Sequence, residues 1–269
     1  MREPSTEHAR QVLSAEGFVV EDIPVAPPEN RADLRLRFGD EEYVLEAKLR
    51  EPNEGWLRLT DQVRALEAGG SAHTTRETQP WNSLSSTITG AYQQLVATPA
   101  GHGTFRILWV IAPHDDDEFV VLCLRKRLIG CQTLTAVDVK APTTVRTVEC
   151  YHYSSNDFER CPEMDAAVLG TRMGGSLLVN YFGGRTAALR RSRLYRMFDG
   201  SNAVVDPELE VAEGKAYLLG RDFNARRDGK SQSSYLKERF GVGTSIMRES
   251  QFSGIVSIPG PAVTGGKAG

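Results

Sequence analysis

Asp33-Leu34-Arg35-Leu36-Arg37-Phe38 and Tyr43-Val44-Leu45-Glu46-Ala47-Lys48-Leu49 are two runs of period-two alternation joined by Gly39-Asp40-Glu41-Glu42. Alternation of this kind marks strands with one buried face. Leu34, Leu36 and Phe38 share a face of the first run, and Tyr43, Leu45, Ala47 and Leu49 share a face of the second. A four-residue turn pairs Phe38 with Tyr43, so that Leu36 faces Leu45, Leu34 faces Ala47, Arg35 faces Glu46 and Asp33 faces Lys48. Apolar residues meet apolar partners in that register, and a slip of one residue would turn every side chain to the wrong face.

Asp33, Glu46 and Lys48 thereby fall together on the other face of one hairpin. Glu46 and Lys48 lie roughly 6.6 Å apart along the strand, and Asp33 lies within roughly 5–8 Å of both. Two carboxylates beside an ammonium can hold a divalent cation against a scissile phosphate. The plainer reading of the same residues is an ion-pair ladder on an exposed sheet.

The stretch resembles the PD-(D/E)XK nuclease superfamily, whose motif places an Asp on one strand and an acidic residue, any residue and Lys on the next. The Pro-Asp half is relaxed: Ala32 precedes Asp33, and the nearest prolines are Pro27 and Pro28. The resemblance covers roughly residues 1–115. It implies an α/β fold with a restriction-endonuclease-like αβββαβ core, a mixed central sheet flanked by helices. It also implies that Asp33 and Glu46, with the Ala47 carbonyl oxygen, bind Mg or Mn, hard cations suited to oxygen ligands. Lys48 would then orient or deprotonate the attacking water or contact the phosphate.

The surrounding sequence supplies the matching elements. Pro4 to Gly17 reads as a helix with Ser5 as candidate N-cap and Ala9, Val12 and Leu13 as a buried stripe. Glu7 lies in its first turn, where the superfamily's additional metal-binding carboxylate would sit; complementing the helix dipole is the alternative. Phe18 to Ile23 reads as the first strand, about Ser83 to Ala97 as the second helix, and Phe105 to Ala112 as a buried strand. Many members carry a Gln near the active site on that second helix, and Gln93 or Gln94 fits the place. An exposed polar helix position is the alternative for either.

The chain has 269 residues, 40% hydrophobic and 25% charged, with a formal net charge of -3. That composition belongs to an ordinary globular protein. No apolar run reaches the roughly 18 residues of a membrane span, and the N-terminus has no apolar signal region. A cytoplasmic protein is expected. Cys123, Cys131, Cys150 and Cys161 form no CxxC pair, so reduced thiols are a better reading than a disulfide framework or a zinc site built from Cys131, Cys150, His152 and Cys161. Residues 185–248 hold 13 Lys or Arg against 8 Asp or Glu, about +5, which leaves about -8 for the rest. Arg190, Arg191 and Arg193 in this segment are candidate nucleic-acid contacts, with a solvated helical face as the alternative.

Residues 51–82 read as an insertion, with a short helix over Leu57 to Ala68 and a loop over Gly69 to Trp81; Trp56 and Trp81 could stack on bases or pack against the body. His114-Asp115-Asp116-Asp117-Glu118 reads as a solvated turn before a strand over Phe119 to Leu124. Val137 to Tyr153 and Leu177 to Phe182 carry strand signal, and Thr186 to Phe198 reads as one basic helix. The expected division is a core over 1–155, a basic α+β extension over 156–250 and a disordered tail over 251–269. Together these point to a metal-dependent nuclease acting on DNA or, less directly, RNA, in restriction, phage defence or repair. A catalytically silent binding subunit of a larger assembly is the competing expectation. A homodimer, or a helper subunit such as an ATPase or methylase, would be compatible with either.

Overall fold

The structure, a computed structural model, describes residues 3–24, 31–50, 71–77, 82–112, 117–138, 145–153, 156–171, 174–220, 223, 231–246 and 251–257. Helix α1 (Pro4–Ala15) leads into strands β1 (Val19–Asp22), β2 (Leu34–Phe38), β3 (Glu41–Leu49) and β4 (Ser71–Glu77). Then come α2 (Asn82–Ala97), β5 (Phe105–Ile111), α3 (Asp117–Ile129), β6 (Cys131–Asp138), β7 (Val145–His152) and α4 (Asp157–Arg160). Strands β8 (Ala166–Thr171) and β9 (Gly174–Val179) precede α5 (Thr186–Leu189), α6 (Arg193–Asp199), β10 (Val204–Val205) and α7 (Pro207–Ala212). The described chain closes with β11 (Ala216–Leu219), α8 (Gln232–Phe240), β12 (Val242–Ile246) and β13 (Gln251–Ser257).

A seven-stranded mixed sheet in the order β1-β2-β3-β5-β8-β9-β10 organises the main unit, residues 1–50 and 80–247. β1, β2 and β3 form an antiparallel meander, whereas β3, β5 and β8 run parallel. Both faces of the sheet are covered. Ala9 and Leu13 of α1 and Leu194, Tyr195 and Phe198 of α6 pack on the face bearing Tyr43, Leu45 and Ala47. Leu84, Ile88, Ala91 and Leu95 of α2 pack on the face bearing Val44, Leu108 and Val110. Helix α1 starts because Pro4 occupies its first turn, where the missing N–H costs nothing, so Glu3 rather than Ser5 is its N-cap. It stops at Gly17, whose φ of +88° lets Phe18 N–H return to the Leu13 carbonyl at 3.0 Å.

The hairpin faces agree with the alternation in the sequence, but its register is two residues tighter. Phe38 pairs with Glu41, Leu36 with Tyr43 and Leu34 with Leu45, around a two-residue turn in which Gly39 takes φ +58°. Glu41 and Glu42 therefore belong to β3. Distant partners draw them in: Glu41 accepts from Arg193 N–H at 2.8 Å, and Glu42 from Thr104 Oγ1 at 2.7 Å. A two-residue shift keeps every side chain on its face, and it brings position 33 opposite Glu46 instead of Lys48.

The other departures have tertiary causes. Residues 119–124 lie in helix α3, not a strand: Val120, Cys123, Leu124 and Leu128 form its buried stripe, and β5 needs a long crossover to reach the parallel β8. The basic helix expected over Thr186 to Phe198 is broken in two, with Ser192 capping α6 by accepting from Tyr195 N–H at 3.3 Å. The expected boundary at 155 does not separate folded units, since β8, β9 and β10 complete the same sheet as β1, β2, β3 and β5. A second sheet, β11-β7-β6-β12, packs Tyr217, Tyr235 and Leu236 into its own apolar cluster, which gives the Tyr217 to Phe240 aromatics a structural role.

Residues 51–79 and 248–269 constitute a second compact unit. Within it β4 pairs antiparallel with β13 from Ser71↔Ser257 to Glu77↔Gln251. Over residues 71–77 this replaces part of the loop expected over Gly69 to Trp81, and over 251–257 the unstructured start of the tail. The helix expected over Leu57 to Ala68, Trp56, Trp81 and residues 258–269 lie outside the described residues. No helix among the described residues is long and apolar enough to cross a membrane, and the four cysteines are buried and form no disulfide.

Candidate active site

The site forms where β2 begins, beside the late half of β3. Asp33 N–H donates to the Leu45 carbonyl at 3.1 Å, and the Asp33 carbonyl accepts from Ile23 N–H at 2.9 Å, so its backbone is pinned from both neighbouring strands. Its side chain turns to β3, where Oδ2 accepts the Ala47 N–H at 2.8 Å. Arg50 N–H donates to the Ile111 carbonyl at 2.8 Å. Strand parity then directs the peptide groups of Glu46 and Lys48 at β5 and that of Ala47 at the β2 side. The opposite N–H, that of Ala32, is spent on Thr98 Oγ1 at 2.7 Å.

Glu46 is fully buried, and neither carboxyl oxygen has a hydrogen-bond partner of acceptable geometry among the described residues. The Lys48 ammonium contacts Glu46 Oε1 as an ion pair. Burial, reinforced by the neighbouring Asp33 charge and opposed by Lys48, pushes the Glu46 carboxyl up to about 8. Asp33 is also raised, first by burial, against the lowering effect of the Ala47 N–H and Lys48; the charge of Glu3 adds to the rise. The two carboxyl groups are close enough to share a hydrogen bond.

Helix α2 supplies the remaining contact. Gln94 Oε1 accepts from Lys48 Nζ at 3.0 Å, and its amide nitrogen donates to the Arg31 carbonyl at 3.4 Å. Gln93 is exposed on the same helix, which decides between the two glutamines. Lys48 is thus held between an acid and an amide with 27% of its side chain exposed, open to a ligand from solvent.

Asp33, Glu46, Ala47, Lys48 and Gln94 come together; the other candidates do not join them. Glu7 accepts from Gln11 Nε2 at 3.2 Å on the exposed side of α1, whereas Glu3 at the helix N-cap is the acid whose charge reaches Asp33. Pro4, which fixes the first helical residue, was the sequence signal for Glu3. Arg190 makes a bidentate pair with the buried Asp206 at 2.7 and 2.8 Å and a further contact with Glu208 at 2.8 Å. Arg193 binds Glu16 at 2.9 Å and stacks on Phe38 at 5.2 Å. Its backbone contact to Glu41 places it at the far end of β3, roughly 16 Å along the strand from Glu46. Arg191 is exposed between these two, on the same loop.

Among the described residues no cluster of three His, Cys, Asp or Glu side chains is arranged to hold a metal ion. The available donor set is two carboxylates and a main-chain carbonyl, all hard oxygen ligands that suit Mg or Mn. No family model, curated protein or solved structure matches this chain.

Proposed function

We propose that the protein is a metal-dependent nuclease that hydrolyses phosphodiester bonds, with DNA as the preferred substrate. The observation that carries this reading is Glu46. A fully buried carboxyl group, paired with Lys48 and set beside a second carboxyl, is an arrangement whose charge a divalent cation would balance. The order α1, β1, β2, β3, α2, β5, interrupted among the described residues only by the β4 strand of the second unit and with β3 and β5 parallel, supports a restriction-endonuclease-like core.

Asp33, Glu46 and the Ala47 carbonyl would hold Mg or Mn. The ion would supply Lewis-acid activation of water and neutralise charge at the phosphate. Ala47 N–H fixes one Asp33 oxygen, and the other would be the metal ligand. Lys48 Nζ, aimed by Glu46 and Gln94, can hold or release a proton at the attacking water and attract a phosphate oxygen. Sheet strands on both sides keep these groups from drifting, which is the positional requirement for such chemistry.

Purified protein should nick or degrade plasmid with Mg or Mn and not with EDTA. Asp33→Ala and Glu46→Ala should each abolish the activity, and Lys48→Ala should reduce it severely while retaining metal-induced stabilisation. Parallel assays on single-stranded DNA and RNA identify the substrate. Wild-type inactivity on all three, with Mn still raising the melting temperature, would favour the binding-subunit reading. Equal activity in every variant would expose a contaminant.

A further inference from the structure

A cavity of about 200 Å³ opens on the opposite face of the sheet from Glu46 and Lys48, lined by α1 and α6 side chains. His8 and Val12 form one wall, Met197 and Phe198 another, and Trp109 the floor. Gly170 lowers the floor further: a Cβ there would meet Ile111 Cδ1 at 2.6 Å. Among the described residues no Asp, Glu, Lys or Arg lines the space. Trp109 is 2% exposed, yet its indole N–H has no hydrogen-bond partner among the described residues. The buried Nδ1 of His8 has none either. The Trp109 ring lies 6.2 Å from that of His8 and 6.4 Å from that of Phe198, at tilts of 49° and 59°.

An indole N–H can only donate, and a buried donor without an acceptor is costly enough to be rare. The three aromatic rings that line it favour a flat guest, and a lining uncharged among the described residues favours a neutral one. An apolar cavity of roughly 150 Å³ accommodates benzene, so this one takes a ring somewhat larger. We propose that the cavity binds a neutral, planar heteroaromatic small molecule whose ring nitrogen or carbonyl oxygen accepts the Trp109 N–H. The assignment does not depend on the nuclease reading. The same chemistry is found in a free heterocycle and in a base presented by a nucleic acid. A free ligand is the better fit, because no cation among the described residues lines the cavity to meet a phosphate.

The test compares quinoline with naphthalene, which share a shape and differ by one acceptor. In EDTA, calorimetry on the wild-type protein should find quinoline bound about tenfold tighter, as expected for one buried hydrogen bond. Trp109→Phe should make the two ligands bind alike. Val12→Phe or Met197→Phe, which fill the mouth, should remove both. With Trp56 and Trp81 changed to Phe, Trp109 is the one tryptophan left of three, and quinoline or adenine should quench it saturably. Equal affinities of quinoline and naphthalene for wild type, or no binding of either, would overturn the proposal. Quenching by a single-stranded oligonucleotide but by no free heterocycle would overturn the free-ligand assignment.

Discussion

Glu46 makes the metal-free protein sensitive to pH in a direction that can be worked out. Its folded-state value of about 8 lies above the ordinary 4.5, chiefly because burial disfavours the charge. Between those values the folded chain holds a proton that the unfolded chain has lost, so raising the pH favours unfolding. Denaturant midpoints measured in EDTA should therefore fall as pH rises from about 4.5 to about 8; Asp33 is shifted in the same direction, also first by burial. Glu46→Gln should flatten the profile and be at least as stable as wild type at the alkaline end. A wild-type midpoint that climbs across the interval would contradict burial as the dominant influence on this acid. Gln94 gives a companion test. Gln94→Leu should lower kcat about ten- to a hundredfold, through misplacement of Lys48, while leaving Mn-induced stabilisation intact. An unchanged kcat would remove Gln94 from the positioning of Lys48.

Among the secondary-structure elements, the arginines near α6 act as fasteners. Asp206 is 3% exposed on its side chain and caps α7 by accepting from Leu209 N–H at 3.3 Å, while Arg190 grips both of its oxygens. Arg190→Ala should cost about 2–4 kcal/mol, the penalty for leaving a buried charge without its partner. Exposed Arg191→Ala should stay within about 0.5 kcal/mol of wild type. Urea unfolding of both variants checks this, and equal stabilities would mean Arg190 holds nothing. The same contacts show what a sequence can reveal. Strand faces were legible because alternation is local: Leu34, Leu36, Tyr43, Leu45 and Ala47 all fall where period two puts them. Turn length was not, because Glu41 and Glu42 are recruited into β3 by Arg193 and Thr104, far along the chain. Residues 119–124 look like a strand by composition, and only the parallel placement of β5 and β8 calls for a helix there. At the site, Asp33, Glu46 and Lys48 could be found from spacing, whereas Glu3 required knowing where α1 begins.

For the whole molecule, the division into two units separates the site from the β4–β13 pair. Asp33, Glu46, Lys48 and Gln94 all belong to the unit formed by residues 1–50 and 80–247. Removing residues 248–269 should leave the Mn-induced rise in melting temperature unchanged; its loss would place part of the metal site in the second unit. The strand order has another consequence, for how the chain comes to be folded. β5, Phe105–Ile111, is hydrogen-bonded to β3 on one side and to β8 on the other, and β8 starts at Ala166. While the chain is being synthesised, the β2–β3 hairpin can close at once, but β5 must wait for more than fifty further residues before its second neighbour exists. In that interval Phe-Arg-Ile-Leu-Trp-Val-Ile is an open, apolar strand edge, the kind that templates association with other chains. A chain halted near residue 155 would keep that edge permanently, so arrest or cleavage there should yield an aggregating fragment and not a smaller working protein.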